Sequence, residues 1–321
     1  MPVQPQPTMS FVVIAHNEAA GIEQALHSIL AQEGVDDREV IVVDDGSSDG
    51  TAELVAAAAA RCPRVRLVRL ERNRGRGFAR DVGIRLARGQ VIATIDADVI
   101  LPPDWSSQCL GALAVADAVG GTAVPDGDVA YICARFGLKA RIVPHTTNAT
   151  GSNAAYRREL FERIAFDRAL RDGEDVAFNH ALRAIGAHVQ TIPGLVAEHR
   201  ESKGFAETLA WLFQSGRGAS RQLYRYRELR RPDLAFAGWL LSGAGAAVWL
   251  YRGHRAAGCV PVVYLGTAAA AHVLSAFVWD RRDGHRLLAA MVVDMALLSA
   301  YFAGRLAGIP RATRAPREPR P

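Results

Sequence analysis

Asp96-Ala97-Asp98 closes the apolar run Val91-Ile92-Ala93-Thr94-Ile95, so two carboxylates at spacing two are presented at the end of a buried strand. Such a pair can hold a hard divalent cation that also takes phosphate oxygens. Standing alone, it reads first as a turn with solvated acids. A second acidic group, Asp44-Asp45-Gly46-Ser47-Ser48-Asp49, follows another apolar run and precedes a helical stretch. Its carboxylates can accept hydrogen bonds from base or ribose donors, and the helix start offers N–H groups to an anion. Ser48 or Asp49 can equally serve as a helix cap. Glu174-Asp175 stands between the turn Asp172-Gly173 and the helical stretch Val176–Ile185. Carboxylates there can take a proton from an attacking hydroxyl, or simply favour the helix start. Arg74, Arg76 and Arg80, on a loop and the helix it opens, read as auxiliary phosphate contacts or as a solvated basic face. Gly151-Ser152-Asn153 reads as a turn with a helix start, and His199 as a ligand or a surface histidine.

From Ser10 to Asp98, short apolar β-rich runs alternate with helical segments, the pattern of parallel strands joined by crossover helices. Strands are expected at Ser10–Ala15, Glu39–Val43, Val65–Leu70 and Gln90–Ile95. Helices are expected between the first two strands, where Ile22, Leu26, Ile29 and Leu30 share a face, at Thr51–Arg61 and from Gly77 to Ala87. In such sheets ligands bind beyond the carboxyl ends of the strands. His16-Asn17-Glu18, Asp44-Asp45 and Asp96-Ala97-Asp98 all fall at that edge. Further on, helical segments are expected near Val129–Ile142 and Arg157–Ile164, and a strand near His188–Ile192.

With 321 residues, 50% of them hydrophobic and 22% charged, the chain is neither disordered nor a disulfide-stapled module. Cys62, Cys109, Cys133 and Cys259 show no zinc-type spacing, which fits a reducing compartment. The net charge of +5 is unevenly spread: residues 201–321 hold 17 Lys plus Arg against 8 Asp plus Glu, and the remainder 21 against 25. A catalytic part with a negative balance gives no support to nucleic-acid binding. A basic C-terminal third that flanks apolar runs suggests a membrane surface instead.

Those runs, Leu234–Tyr251, Ala256–Trp279 and Leu287–Ile309, are each long enough to cross a hydrocarbon layer of about 30 Å. The first two lack any Asp, Glu, Lys or Arg; the third contains Asp294 and Arg305. Either all three span, or the first lies in the interface and the others form a hairpin. The first nine residues carry no Lys or Arg and lead straight into a strand, so no signal peptide is expected. The expected organisation is a cytoplasmic catalytic domain at 1–230, a membrane-associated helical region at 231–310 and a basic tail at 311–321, giving a multi-pass protein of the cell membrane.

Val12-Val13-Ile14-Ala15-His16-Asn17-Glu18, then Val40 to Thr51 with Asp44-Asp45-Gly46-Ser47-Ser48-Asp49-Gly50, then Asp96-Ala97-Asp98, and later Gly173-Glu174-Asp175, resemble in order the motifs of family 2 glycosyltransferases. The resemblance spans about residues 10 to 221. It implies an α/β GT-A type nucleotide-binding fold with a mostly parallel central sheet. It also implies inverting transfer of a sugar from a UDP- or GDP-sugar to a hydroxyl acceptor, a lipid-linked sugar or glycolipid at the membrane. Ala15, Asn17, Glu18, Asp44 and Asp45 would then surround the nucleotide. Asp98 would ligate Mg²⁺ or Mn²⁺, with Asp96 near the ribose or the metal and His199 completing the site. Gly151 and Asn153 would line the sugar and acceptor pocket, and Asp175, beside Glu174, would be the general base. The Q-x-x-R-W motif of processive members survives only as Gln214-Ser215-Gly216-Arg217-Gly218, without the Trp. Arg217 would still contact diphosphate or a lipid headgroup, but long-chain polymer synthesis is disfavoured. The alternatives are a polyprenyl-phosphate glycosyltransferase and a non-catalytic sugar-nucleotide-binding membrane subunit.

Overall fold

The computed structural model describes residues 7–126, 149, 151–200, 205–227, 229, 231–254, 258–279 and 287–312. These fall into two units, divided between Arg200 and Phe205. The first is built on β1 (Met9–Ala15), α1 (Ile22–Leu30), β2 (Arg38–Asp44), α2 (Thr51–Arg61), β3 (Val65–Arg69), α3 (Arg76–Leu86) and β4 (Val91–Asp96). Strands β3, β2, β1 and β4 lie side by side and parallel. Because successive strand residues point to opposite faces, Phe11, Val13 and Ala15 of β1 enter one core with Ile22, Leu26 and Val55, while Val12 and Ile14 enter another with Ala79 and Ile84. A strand buried on both faces reads as a continuous apolar run, which is why these elements are legible in the sequence to within a residue or so.

The other half of the sheet departs from the expected pattern. After the two-residue β5 (Val99–Ile100) and α4 (Trp105–Ala112) come β6 (Ala118–Asp126), β7 (Asn153–Arg157), α5 (Leu160–Arg163), α6 (Glu174–Ala184) and β8 (Val189–Arg200). The eight strands run in the order β3-β2-β1-β4-β7-β6-β8-β5. β7 is antiparallel to both β4 and β6, and β5 to β8, so the sheet is mixed. Of the readings open at Gly151, the helix start is excluded, since a strand follows, and the helix expected from Arg157 is the short α5. Tyr156 drives this outcome: it is fully buried, and its ring meets Phe178 of α6 edge-on at 5.4 Å. The helix expected near Val129–Ile142 lies outside the described residues.

At the amino end of the sheet one carboxylate joins three segments. Glu39 on β2 accepts hydrogen bonds from the Ser10 hydroxyl (2.6 Å), the Arg88 amide (2.6 Å) and Arg88 Nε (3.2 Å). Burial alone would raise its pKa, but these donors outweigh it and hold the carboxyl below its ordinary 4.5. A depressed carboxylate stabilises the fold above its unfolded pKa and loses that contribution as pH falls through the folded value. Glu39→Gln is thus expected to cost about 1–3 kcal/mol at neutral pH. The gap in Tm from the parent should close as the pH is taken from 6 to 3; a gap of constant size would show that the ionised carboxylate is not the source.

The second unit contains α7 (Phe205–Tyr226), α8 (Arg231–Tyr251), α9 (Val260–Trp279) and α10 (Leu287–Ala312). The three apolar stretches are α8, α9 and α10. Packing places α7 with them, a helix earlier than the boundary expected at 231, and glycines are the reason. A Cβ on Gly216 would fall 2.1 Å from Tyr301 O, on Gly304 1.9 Å from Phe213 O, and on Gly308 2.7 Å from Arg217 O. α7 and α10 therefore meet backbone to backbone. Arg305, the unexpected charge of the third stretch, is buried against Asp233 of α8 at 2.5 Å. Among the described residues one helix, Asp233–Tyr251, is long and apolar enough to cross a membrane, with mean hydropathy 1.4 and 11% of it buried.

Candidate active site

The carboxyl ends of β1, β2 and β4 converge with the start of α6. Asn17 adopts a left-handed backbone (φ 58°), its N–H bonded to Ser47 Oγ and its Oδ1 accepting from Ser48 N, both at 2.9 Å. The Glu18 amide donates to Thr51 Oγ1 (2.8 Å) and the Ala19 amide to Asp49 (3.0 Å). The loops after β1 and β2 are thereby one structure. Ala15 is buried in the core and takes part through its carbonyl, which accepts the Asp45 amide at 2.8 Å.

Asp44 is fully buried, its carboxylate 3.3 Å from Ser47 N and 3.8 Å from Arg69 Nε. Asp45 holds the next loop, accepting from Arg74 N (2.7 Å) and Gly75 N (2.8 Å). Gly46 makes this close approach possible: its φ is +73°, and a Cβ there would meet Arg72 backbone at 2.7 Å. Arg76, at the first position of α3, stands in the field of the acids. Desolvation, which alone would lower its pKa, is outweighed by Asp96, Asp98, Asp172 and Asp175, so its charge is reinforced.

Asp98 and His199 come together through strand pairing. β5 pairs with β8 so that Val99 faces His199, and Arg200 N donates to Asp98 O at 2.8 Å. His199 Nε2 then stands 3.2 Å from Asp98 Oδ2. A carboxylate and an imidazole at this spacing suit a divalent cation that takes its remaining ligands from phosphate and water. Asp96 does not join them: its Oδ1 is bonded to Arg80 Nη2 at 2.6 Å. Among the described residues no three His, Cys, Asp or Glu side chains are grouped closely enough to hold a metal alone.

Two residues expected to contact ligand, Arg80 and Asn153, are engaged within the scaffold. Arg80 is 1% exposed, and instead of reaching phosphate its two terminal nitrogens bond Asp96 and Glu174. Gly151 roofs this guanidinium; a Cβ there would lie 2.5 Å from Arg80 Cζ. Asn153 is fully buried and its amide is engaged, accepting from Trp105 Nε1 (2.6 Å) and donating to Thr122 O (3.0 Å) and Leu195 O (3.3 Å). It pins α4, β6 and β8 to β7. Arg217 lies on α7 in the second unit, its Nη1 bonded to Gln214 Oε1 at 2.8 Å.

Glu174 and Asp175 open α6 after Gly173, which is left-handed at φ +70°. Glu174 is buried, whereas Asp175 is half-buried with Oδ1 on its own helix at Val176 N (2.8 Å). Asn179, one turn on, clamps Ala149 through both amide atoms at 2.8 and 2.6 Å, fixing the approach to Gly151. Residues that sequence reasoning missed are Trp105 and the pair Gly75 and Gly77. A Cβ on Gly77 would lie 2.2 Å from Asp167 O, so α3 rests directly on the segment leading into α6. Gly77, Arg80 and Ile84 at i, i+3 and i+7 mark a buried helix face, and that spacing was the available sign that Arg80 is enclosed.

Comparison with known proteins agrees with this geometry. The succinoglycan biosynthesis protein ExoO of Rhizobium meliloti is 39% identical over 58% of this chain and 59% of its own length. The glycosyltransferase AglE of Haloferax volcanii is 25% identical over 74% of this chain and 81% of its own. Matches to the first two curated relatives span 59% and 52% of their lengths. Among solved structures, the mannosyltransferase PcManGT of Pyrobaculum calidifontis, in complex with GDP-Man and Mn²⁺, is similar with a TM-score of 0.59 and 25% identity, over 94% of this chain and 88% of that one. Residues 10–165 match the profile described as Glycosyl transferase family 2, and over that segment these relatives and this fold agree in likening the chain to the family 2 glycosyltransferases.

Proposed function

We propose that the protein transfers a sugar from a GDP- or UDP-sugar to a hydroxyl of a lipid-linked sugar or glycolipid, with inversion and with help from Mn²⁺ or Mg²⁺. The observation that carries the reading is the meeting of two carboxylate-bearing edges, Asp96-Ala97-Asp98 at the end of β4 and Glu174-Asp175 at the start of α6, on the single side chain of Arg80. Asp98 and His199 are the residues that would hold the cation. Its chemistry when bound is to offset the negative charge that gathers on the departing diphosphate.

The loops after β1 and β2 receive the nucleoside, with Asn17, Glu18 and Asp44 around it. Asp175 takes the proton of the acceptor hydroxyl as that oxygen attacks the anomeric carbon. A phosphate acceptor is already ionised and has little use for such a base, so a hydroxyl acceptor is favoured. The relative solved with GDP-Man and Mn²⁺ supports a nucleotide-sugar donor with a divalent ion. The exposed apolar side chains of α8, among them Leu241 at 73% and Trp249 at 59%, support a membrane as the setting of the second unit.

The test is transfer from GDP- and UDP-sugars with Mn²⁺ to polyprenyl-linked saccharide and glycolipid acceptors in vesicles. Mass spectrometry finds the product and NMR reads the new anomeric linkage. One donor should give product of inverted configuration. Retained configuration, or no product from any donor, would overturn the reading.

A further inference from the structure

We infer that Arg80 is a positioning residue that couples the donor side of the site to the acceptor side, an inference that rests on the function proposed above. The guanidinium is 1% exposed and divides its arms between two elements far apart in sequence, Nη2 to Asp96 on β4 and Nη1 to Glu174 on α6. One cation thus serves two carboxylates, and neither has the other's support without it. Its surroundings fix it in place. Gly151 leaves room for the planar group and no more, Phe166 lies 5.9 Å from Cζ, and Gly77 seats α3 on the segment that leads into α6.

Glu174, buried and held by Arg80, is not placed to meet an acceptor. Its neighbour Asp175 is, and Arg80 sets where that turn of α6 stands. Asp96 stands two residues before Asp98 on the chain, so the same side chain sets the end of β4. A planar fork can bond two carboxylates along separate arms, which a lysine ammonium at the same place cannot reproduce. Movement of either edge is felt at the other through one rigid group.

The experiment is a double-mutant cycle on the full chain, with Asp96→Asn and Glu174→Gln alone and together, in the parent and in Arg80→Lys. The readouts are kcat, KM for the donor, and the Tm shift given by the nucleotide product with Mn²⁺. Coupling through Arg80 predicts that in the parent the double variant loses about tenfold less kcat/KM than the product of the two single losses. In Arg80→Lys the losses should multiply, with kcat reduced and Tm changed little. Arg80→Gln removes the charge and should resemble Arg80→Lys in kcat. If neither Arg80 variant folds, the parent cycle still decides. A multiplicative cycle in an active parent overturns the coupling and leaves the transferase reading standing. Absence of transfer in the parent overturns that reading and the coupling with it.

Discussion

Asp175→Asn is expected to lower kcat about 10²–10⁴-fold, the usual contribution of a positioned general base, with KM for the donor and the nucleotide-induced Tm shift unchanged. The reasoning is geometric. Asp175 is half-buried at the first turn of α6, where its Oδ1 accepts a hydrogen bond from Val176 N, so an amide of the same shape leaves the helix intact. What the amide removes is the capacity to accept the acceptor's proton. Glu174 cannot take over, because it is enclosed and bonded to Arg80. Steady-state rates with saturating donor make the measurement. A parental kcat in the variant would move the base elsewhere; a raised donor KM with unchanged kcat would move Asp175 to the donor side.

Asp98→Ala should abolish metal-dependent binding of the nucleotide. In the parent, nucleotide product at a hundred times its dissociation constant with Mn²⁺ should stabilise the fold by about 2.7 kcal/mol, by mass action alone, and EDTA should remove the effect. In the variant that gain should vanish while the basal Tm stays close to the parent's. The backbone supports the second expectation: the bond from Arg200 N to Asp98 O ties β8 to this turn and survives truncation, so the side-chain pair with His199 is the one link from β8 described here that is lost. His199→Ala removes the other half of the 3.2 Å pair and should weaken the metal requirement without erasing it. If nucleotide stabilises Asp98→Ala as it does the parent, the cation is held elsewhere.

The parallel half of the sheet was legible because β1, β2 and β4 are buried on both faces and must be apolar throughout, and because polar residues follow each of them where a ligand would sit. The expected helix at Thr51–Arg61 is α2 to the residue. Of the other half, only the start of β8 was legible, in the strand expected near His188–Ile192. β7 is Asn153-Ala154-Ala155-Tyr156-Arg157, two of whose five residues are alanine, and β5 has two residues in all. Neither has a periodicity to read, and both exist because neighbouring strands complete their hydrogen bonds.

The site follows the same division. Asn17, Asp44, Asp45, Asp98, Glu174 and Asp175 were legible as candidates because they stand at strand ends and a helix start. The roles of Arg80, Gly151 and Asn153 depend on partners 16 to 94 residues away, which no local pattern encodes. Arginine and asparagine in a motif suggest ligand contacts, yet here they serve their own scaffold.

The glycine contact between α7 and α10 also has a meaning in time. Gly304 follows Gly216 by 88 positions, so at 5–20 residues per second the ribosome delivers the second helix roughly 4–18 s after the first. For that interval α7 carries a narrow, small-residue face shaped for a partner that does not yet exist, while α8 and α9 are being made. The order of synthesis therefore requires α10 to return past α8 and α9 before α7 has its neighbour. A ribosome stalled before residue 300 would leave α7 without the neighbour it is built to meet.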